Sequence, residues 1–262
     1  MLPLTDPSFA RAARRLRYLF TDLDDTLTTQ GKIPPEAFSA VWRLREAGIG
    51  VAIVSGRPAG WADHLARMWP VEGVIGENGA FYFRMRQGKL FKRYFHEPRR
   101  SQAVFEKIVA DVAREVPGAK VSADQKYREF DLAIDFCEDV PPLPRADVLR
   151  IVEIFERHGA RARVSSIHVN GWLEDFTKLT GCRMFTEEQL GLEMDELLPV
   201  AMFSGDSPND EDLFHAFHAS CAMANIADFA DLLKRPPAFV TQRRGGQGFA
   251  EMAEAILAAR NQ

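Results

Sequence analysis

The sequence predicts an α/β protein, a Rossmann-like parallel sheet flanked by helices and interrupted by an inserted α+β module. Three observations carry that reading. Short apolar runs alternate with helical patterns in both end regions of the chain, the rhythm of βαβ units. One run, Gly50–Val54 (GVAIV), is apolar throughout, as a strand covered on both faces should be. Between residues 84 and 166 the alternation gives way to a hairpin and mixed elements.

Taken in order, the first strand spans Arg17–Asp22 (RYLFTD). The segment before it carries Arg11, Arg14 and Arg15 without the apolar stretch of a secretory leader, so it is expected to be a solvated helix or arm. A helix follows Pro34-Pro35 and stops at Gly48. Gly50–Val54 ends abruptly in Ser55-Gly56-Arg57-Pro58, and a helix at Ala59–Met68 leads to a short strand at Gly73–Ile75. Ala80–Phe95 reads as a hairpin turning at Gln87-Gly88, followed by a helix over Ser101–Val116. Glu129–Phe136 alternates like a strand with one exposed face, Leu143–His158 is helical, and Arg161–Val169 reads as one strand. The first rhythm then returns: helix Lys178–Leu190, buried strand Pro199–Ser204, helix Glu211–His218, strands at Ser220–Ala224 and Ala238–Thr241, and a closing helix at Gly248–Arg260. The expected division is a core of residues 1–83 and 167–262 with an inserted unit at 84–166.

Composition narrows the function classes. The 262 residues include 33 basic and 37 acidic ones, a net charge of −4, which supplies no cation excess for bulk nucleic-acid binding. Cys137, Cys182 and Cys221 lie far apart without a CxxC pair, so neither a disulfide framework nor a zinc knuckle is expected and a reducing, cytoplasmic setting fits. No apolar run approaches the roughly 18 residues of a membrane helix. Nothing in the sequence sets an oligomeric state. The insert carries +4 and the remainder −8, and seven cations lie in Arg84–Arg100, either as a solvated hairpin or as a surface that attracts an anion.

The most informative stretch is Asp22-Leu23-Asp24-Asp25-Thr26, at the end of the first buried strand. A second acidic cluster, Gly205-Asp206-Ser207-Pro208-Asn209-Asp210, closes the strand Pro199–Ser204. Parallel strands bring both clusters to one sheet edge, where α/β proteins bind ligands. Crowded carboxylates need a cation, and an all-oxygen set suits Mg²⁺.

These segments, with Val54-Ser55-Gly56-Arg57 between them, resemble the motifs of the haloacid dehalogenase-like (HAD) superfamily across nearly the whole chain. The position of the insert and Glu77-Asn78-Gly79-Ala80 before it resemble the C2-capped IIB group of Cof-like and sugar-phosphate phosphatases. The resemblance implies that Asp22 attacks phosphorus to form an aspartyl-phosphate and that Asp24 protonates the leaving oxygen. It implies Mg²⁺ held by the Asp22 carboxylate, the Asp24 carbonyl and Asp206, with Asp210 binding through water or orienting Asp206. Ser55, Gly56 and a lysine would hold the phosphoryl group. The matching lysine is Lys178 in Thr177-Lys178-Leu179-Thr180, where the group more often has Gly after Lys. An acid at the place of Asp24 favours phosphoester hydrolysis or phosphomutase chemistry over dehalogenation. The implied substrate is a small phosphorylated metabolite, a sugar phosphate or phosphorylated glycoside. A phosphomutase, or a silent sugar-phosphate-binding regulator, is the alternative.

Arg57 either touches substrate or pairs with an acidic neighbour, and Asn209 fixes the catalytic loop or lysine or contacts phosphate. His168, Asn170 and Trp172 lie where the chain re-enters the core, either meeting the ligand or packing a hinge, whereas His96, His158, His215 and His218 show no metal-ligand spacing.

Overall fold

Strand β1 (Leu2–Pro3) and helix α1 (Pro7–Arg15) precede β2 (Tyr18–Thr21), α2 (Pro35–Glu46), β3 (Gly50–Val54), α3 (Ala59–Met68) and β4 (Gly73–Gly76). The computed structural model describes residues 1–98 and 101–261. The hairpin β5 (Phe81–Arg86) and β6 (Lys89–Tyr94) follows, then α4 (Gln102–Glu115), β7 (Lys120–Val121), β8 (Leu132–Asp135), α5 (Arg145–Arg157), β9 (Arg161–Val164) and β10 (His168–Trp172). The chain closes with α6 (Lys178–Phe185), α7 (Met194–Leu197), β11 (Ala201–Gly205), α8 (Glu211–Ala216), β12 (Ala219–Ala222), β13 (Phe239–Val240) and α9 (Gly245–Arg260).

The main sheet has nine strands in the order β1-β13-β12-β11-β2-β3-β4-β5-β6. Pairing is parallel from β1 to β4, and only β5 and β6 run antiparallel. From β2 the chain winds outward through β3 and β4, and later from β11 in the opposite direction. The strand order therefore reverses at the β2/β11 pair, the switch point where open α/β sheets leave a crevice. Apolar residues cover both faces: Leu19, Val51 and Ile53 pack under α1, α2 and α9, and Phe20, Val54 and Phe203 pack against α6 and α8.

A second, antiparallel sheet (β7-β8-β10-β9) packs on α4 and α5 through Ile108, Val112, Ile134, Ile154, Phe155 and Val169, forming a cap with its own apolar core. Gly171 lets β10 approach that layer, since a Cβ there would lie 2.2 Å from the Phe155 ring.

Three expectations need correction. The hairpin belongs to the main sheet, because Val74 on β4 pairs with Phe83 and the run Phe81–Phe83 is buried on both faces. The segment expected as one strand to Val169 is two, turning at residues 165–167, and its second half (β10) is the central partner of β8 and β9. Sheet membership thus departs from the boundaries 84 and 166: the main sheet extends to Tyr94 and the cap sheet to Trp172. Strand β8 has no exposed face, because all four of its residues are buried. Of the two expectations for the arginine-bearing first segment, the helix holds: α1 exposes Arg11, Arg14 and Arg15, buries Phe9 and Ala13, and follows β1, which pairs with β13.

Candidate active site

Register delivers the first acids. Thr21 on β2 pairs with Ser204 on β11, so Asp22 and Asp206 leave adjacent strands side by side. Asp210 sits one short turn further on, and its Oδ2 accepts the Asp206 N–H at 3.0 Å. Asp22, Asp206 and Asp210 each place a carboxylate oxygen within 4.8 Å of the others, and all three are buried.

Lys178 comes from the opposite part of the fold. Its helix α6 starts on a capping box between Thr177 and Thr180, which fixes the first turn. Gly79 (φ +105°) lets this start pack closely, since a Cβ there would meet the Thr177 carbonyl oxygen at 2.0 Å. Lys178 Nζ then donates to Asp22 Oδ1 (2.7 Å) and Asp210 Oδ1 (2.8 Å).

One ammonium among three buried carboxylates leaves the pocket short of positive charge. Burial pushes the Asp22 carboxyl up to about 7, with Lys178 opposing and Asp210 and Asp24 reinforcing the rise. Asp206 is raised well above the ordinary carboxylate range by burial and by Asp22 and Asp210. Burial alone would depress Lys178, but Asp210 and Asp22 hold it above its usual value. A divalent ion with a preference for oxygen fits this donor set and relieves the repulsion. Thr26 Oγ1 (3.1 Å) and Asn225 Nδ2 (2.9 Å) each donate to one Asp206 oxygen and fix its orientation.

Ser55 continues β3 into the same edge, where it is buried and its Oγ accepts the Arg57 N–H at 3.0 Å. Of the two readings of Arg57, the structure gives the ion pair. Its Nε and Nη2 bind both oxygens of Asp24 (2.9 and 3.0 Å), Nη2 reaches Glu138 Oε1 (2.7 Å), and Nη1 reaches Asp124 Oδ2 (3.3 Å). The guanidinium also lies over the Trp61 ring, 4.7 Å from its centre. Glu138 and Asp124 come from the cap, so Arg57 joins the two units across the cleft. Burial alone would raise Glu138, but His168 and Arg57 hold its carboxyl down at about 2.

Asn209 touches neither Lys178 nor Asp22 by a hydrogen bond; its Nδ2 donates to Asn78 Oδ1 (3.0 Å). Asn78 and Asn170 both donate to Asp131 Oδ2 (3.1 and 3.0 Å). Asp131 Oδ1 accepts from Arg128, which also donates to the Gly56 carbonyl at 2.7 Å. Glu77 accepts the backbone N–H groups of Ala59 in the core and of Glu129, Phe130 and Asp131 in the cap. Asp25, Glu77 and Asn78 all have positive φ (53°, 42° and 57°), a conformation that the site's contacts must sustain.

A cavity of about 20 Å³, room for one water-sized sphere, lies between Asp22, Ser55, Asn209 and the cap residues Arg128, His168 and Asn170. His168 and Asn170 therefore meet the site, whereas Trp172 packs by stacking on Phe176. A larger groove, about 790 Å³, runs between α4 and residues 121–132 and includes none of the strand-end acids. Of the two readings of the hairpin cations, the structure favours the solvated hairpin: it lies on the main sheet, where Arg84, Lys92 and Arg93 pair with Glu72, Asp63 and Glu188. Arg99 and Arg100 of that group lie outside the described residues.

Sequence reasoning missed Arg128, Asp131, Glu138, Asp124 and Asn225. The last follows β12 much as Asp206 follows β11, and that placement was its available signal. The four cap residues sit on or beside loops, and nothing local marks them.

Residues 19–114 match the family of haloacid dehalogenase-like hydrolases. The match covers the first acidic strand end, Ser55 and the main-sheet hairpin. The chain resembles this family over that stretch. Over 218 residues the chain is 29% identical to the phosphoglycolate phosphatase of Methanoculleus marisnigri, covering 80% of this chain and 85% of that one. Its fold resembles a HAD/COF-like hydrolase of Plasmodium vivax, with a TM-score of 0.69 and 15% identity over 95% of this chain and 98% of the other. It also resembles a HAD subclass IIB sugar phosphatase, with a TM-score of 0.59 and 16% identity over 86% and 93%. At those identities the two likenesses are of fold.

Proposed function

We propose that this HAD-type phosphatase uses Mg²⁺ to hydrolyse the phosphomonoester of a small metabolite, a sugar phosphate or phosphorylated glycoside, in a reducing cytoplasmic setting. The observation that carries the reading is the convergence of Asp22, Asp206, Asp210 and Lys178 from separate segments onto one buried strand edge, with Asp24 two residues from the nucleophile. Free cysteines agree with the setting, and no helix among the described residues is long and apolar enough to cross a membrane.

Asp22 attacks phosphorus, the P–O bond to the leaving group breaks, and Asp24 gives that oxygen its proton. A water then attacks the aspartyl-phosphate, returning its proton to Asp24 and releasing phosphate. Held by Asp22, Asp206 and the Asp24 carbonyl, with Asp210 alongside, Mg²⁺ supplies the positive charge that offsets repulsion between nucleophile and phosphate. Ser55, Gly56 and Lys178 hold the phosphoryl oxygens as charge shifts among them. Arg57 occupies both oxygens of Asp24 in the closed arrangement, so it must yield at least one before Asp24 moves a proton.

Release of phosphate from an aryl phosphate tests the reading. Activity should require Mg²⁺, vanish with a chelator, fall roughly 10⁴-fold in Asp22→Asn and roughly 10²–10⁴-fold in Asp24→Asn. Failure to release phosphate from an aryl phosphate and from a broad metabolite panel with Mg²⁺ would overturn it.

A further inference from the structure

The turn Ser55-Gly56-Arg57 ends a core strand, yet it is clamped from the cap. Arg128, a cap residue whose side chain is 1% exposed, donates from Nη1 to the Gly56 carbonyl (2.7 Å) and to Asp131 Oδ1 (2.8 Å). Asp131 Oδ2 accepts from Asn78 and Asn170, and these two amides back the same turn. A Cβ on Gly56 would lie 3.2 Å from Asn78 Oδ1 and 3.5 Å from Asn170 Oδ1. Asp124 adds a further tie, since its Oδ2 accepts from both Arg57 and Arg128, each at 3.3 Å.

The clamp has a direction. The Gly56 carbonyl and the Arg57 N–H belong to one planar peptide and point opposite ways, so holding the carbonyl aims the N–H. That N–H donates to Ser55 Oγ at 3.0 Å. A hydroxyl that accepts still has its own proton to donate, and the Ser55 proton has no acceptor among the described residues. Ser55 is 1% exposed and borders the small cavity over Asp22, as Arg128 does. A buried donor left this way is costly, and an anionic oxygen in the cavity would complete it. The bonds also reinforce one another: a guanidinium on the carbonyl makes the peptide N–H a stronger donor, and accepting that bond makes the hydroxyl a stronger donor in turn.

We infer that Arg128 is a positioning residue for phosphoryl binding: through the Gly56 carbonyl and the Arg57 N–H it sets the Ser55 hydroxyl to donate to a phosphoryl oxygen over Asp22. The cap thereby completes the phosphate pocket itself, whatever the leaving group. The inference rests on the phosphatase reading above and adds to it a cap residue that acts on the phosphoryl end of the substrate.

The test is a double-mutant cycle between positions 55 and 128, read as the Ki of inorganic phosphate against 4-nitrophenyl phosphate in Mg²⁺. Ser55→Ala should raise that Ki by roughly tenfold or more. Arg128→Lys keeps a charge beside Asp131 but loses the planar fork, and should raise it roughly five- to tenfold. Added to Ser55→Ala, the same change should cost less than about twofold, because the hydroxyl it acts through is gone. A Ser55→Ala enzyme that binds phosphate as tightly as the wild type overturns the inference alone, whatever the variants at 128 do. So do losses that multiply in the double variant, the mark of an Arg128 that touches phosphate directly or only supports the fold. Arg128→Gln, which can still donate one N–H to the carbonyl, repeats the cycle where Arg128→Lys does not fold. Failure of both to fold makes Arg128 a structural residue and overturns the inference as well. A wild type inactive on the aryl phosphate and on the metabolite panel overturns the phosphatase reading, and this one with it.

Discussion

Two buried charge clusters face each other across the cleft, and they are built differently. On the core side three carboxylates, Asp22, Asp206 and Asp210, stand beside one ammonium, that of Lys178, which bonds Asp22 and Asp210. On the cap side the Arg128 guanidinium meets Asp131 at 2.8 Å and Asp124 at 3.1 Å and donates to the Gly56 carbonyl, while Asn78 and Asn170 complete Asp131. The cap cluster has its polar partners in place; the core cluster holds carboxylates in excess of cations. The difference separates a buried network that holds structure together from one that is complete only with a ligand.

The sharpest way to break the comparison is to remove one member of each cluster. Arg128→Met should destabilise the protein by about 3–5 kcal/mol, with or without Mg²⁺, because Asp131 is left buried without its counter-charge. Asp206→Asn should do the reverse in Mg²⁺-free buffer, gaining about 0.5–2 kcal/mol as mutual repulsion is relieved, while losing the stabilisation that Mg²⁺ gives the wild type. Denaturant melts check both, and equal losses in the two variants would end the distinction.

A smaller effect concerns pH. The folded Asp22 carboxyl titrates at about 7, against an ordinary value of 3.8. The folded state therefore keeps a proton that the unfolded chain has released. The stability this contributes is complete below about pH 4 and is lost as pH rises through 7. Metal binding needs the deprotonated carboxylate, so the rise in Tm on adding Mg²⁺ should grow from pH 5 to pH 8. Thermal melts across that range check the sign, and a shift equal at both ends would contradict it.

The smallest effect should come from Arg145 in α5 and Asp231, a pair with both side chains more than half exposed. Arg145→Ala should cost less than about 1 kcal/mol in a denaturant melt and fade with salt.

The core cluster was legible in the linear chain because its acids stand directly after apolar strands. A parallel sheet sends every such residue to the same edge, and Lys178 could be matched on motif order. The cap cluster was not. Glu129–Phe136 looked half exposed, yet Leu132 and Ile134 pack toward the cap helices while Asp135 is buried shaping a turn. The hairpin was legible as a hairpin, but its alternation could not name the sheet it would join, since an antiparallel return pairs equally well with β4 or with a strand of its own module. The reading of Arg161–Val169 as one strand failed for a related reason: the turn at residues 165–167 is held by Ser165 bonding to His168, a side-chain contact that hydrophobic periodicity does not register.

Periodicity and the residues that interrupt it were enough to establish the layered core, the order of its elements and the acids that crown its strands, because each depends on near neighbours along the backbone. Docking of the two separately cored units settled which cap groups meet Arg57 and who shares the cleft with Asp22. Asp24, Asp124 and Glu138 lie 33, 67 and 81 positions from Arg57 along the chain, and only packing of one folded surface on another brings them to a single guanidinium.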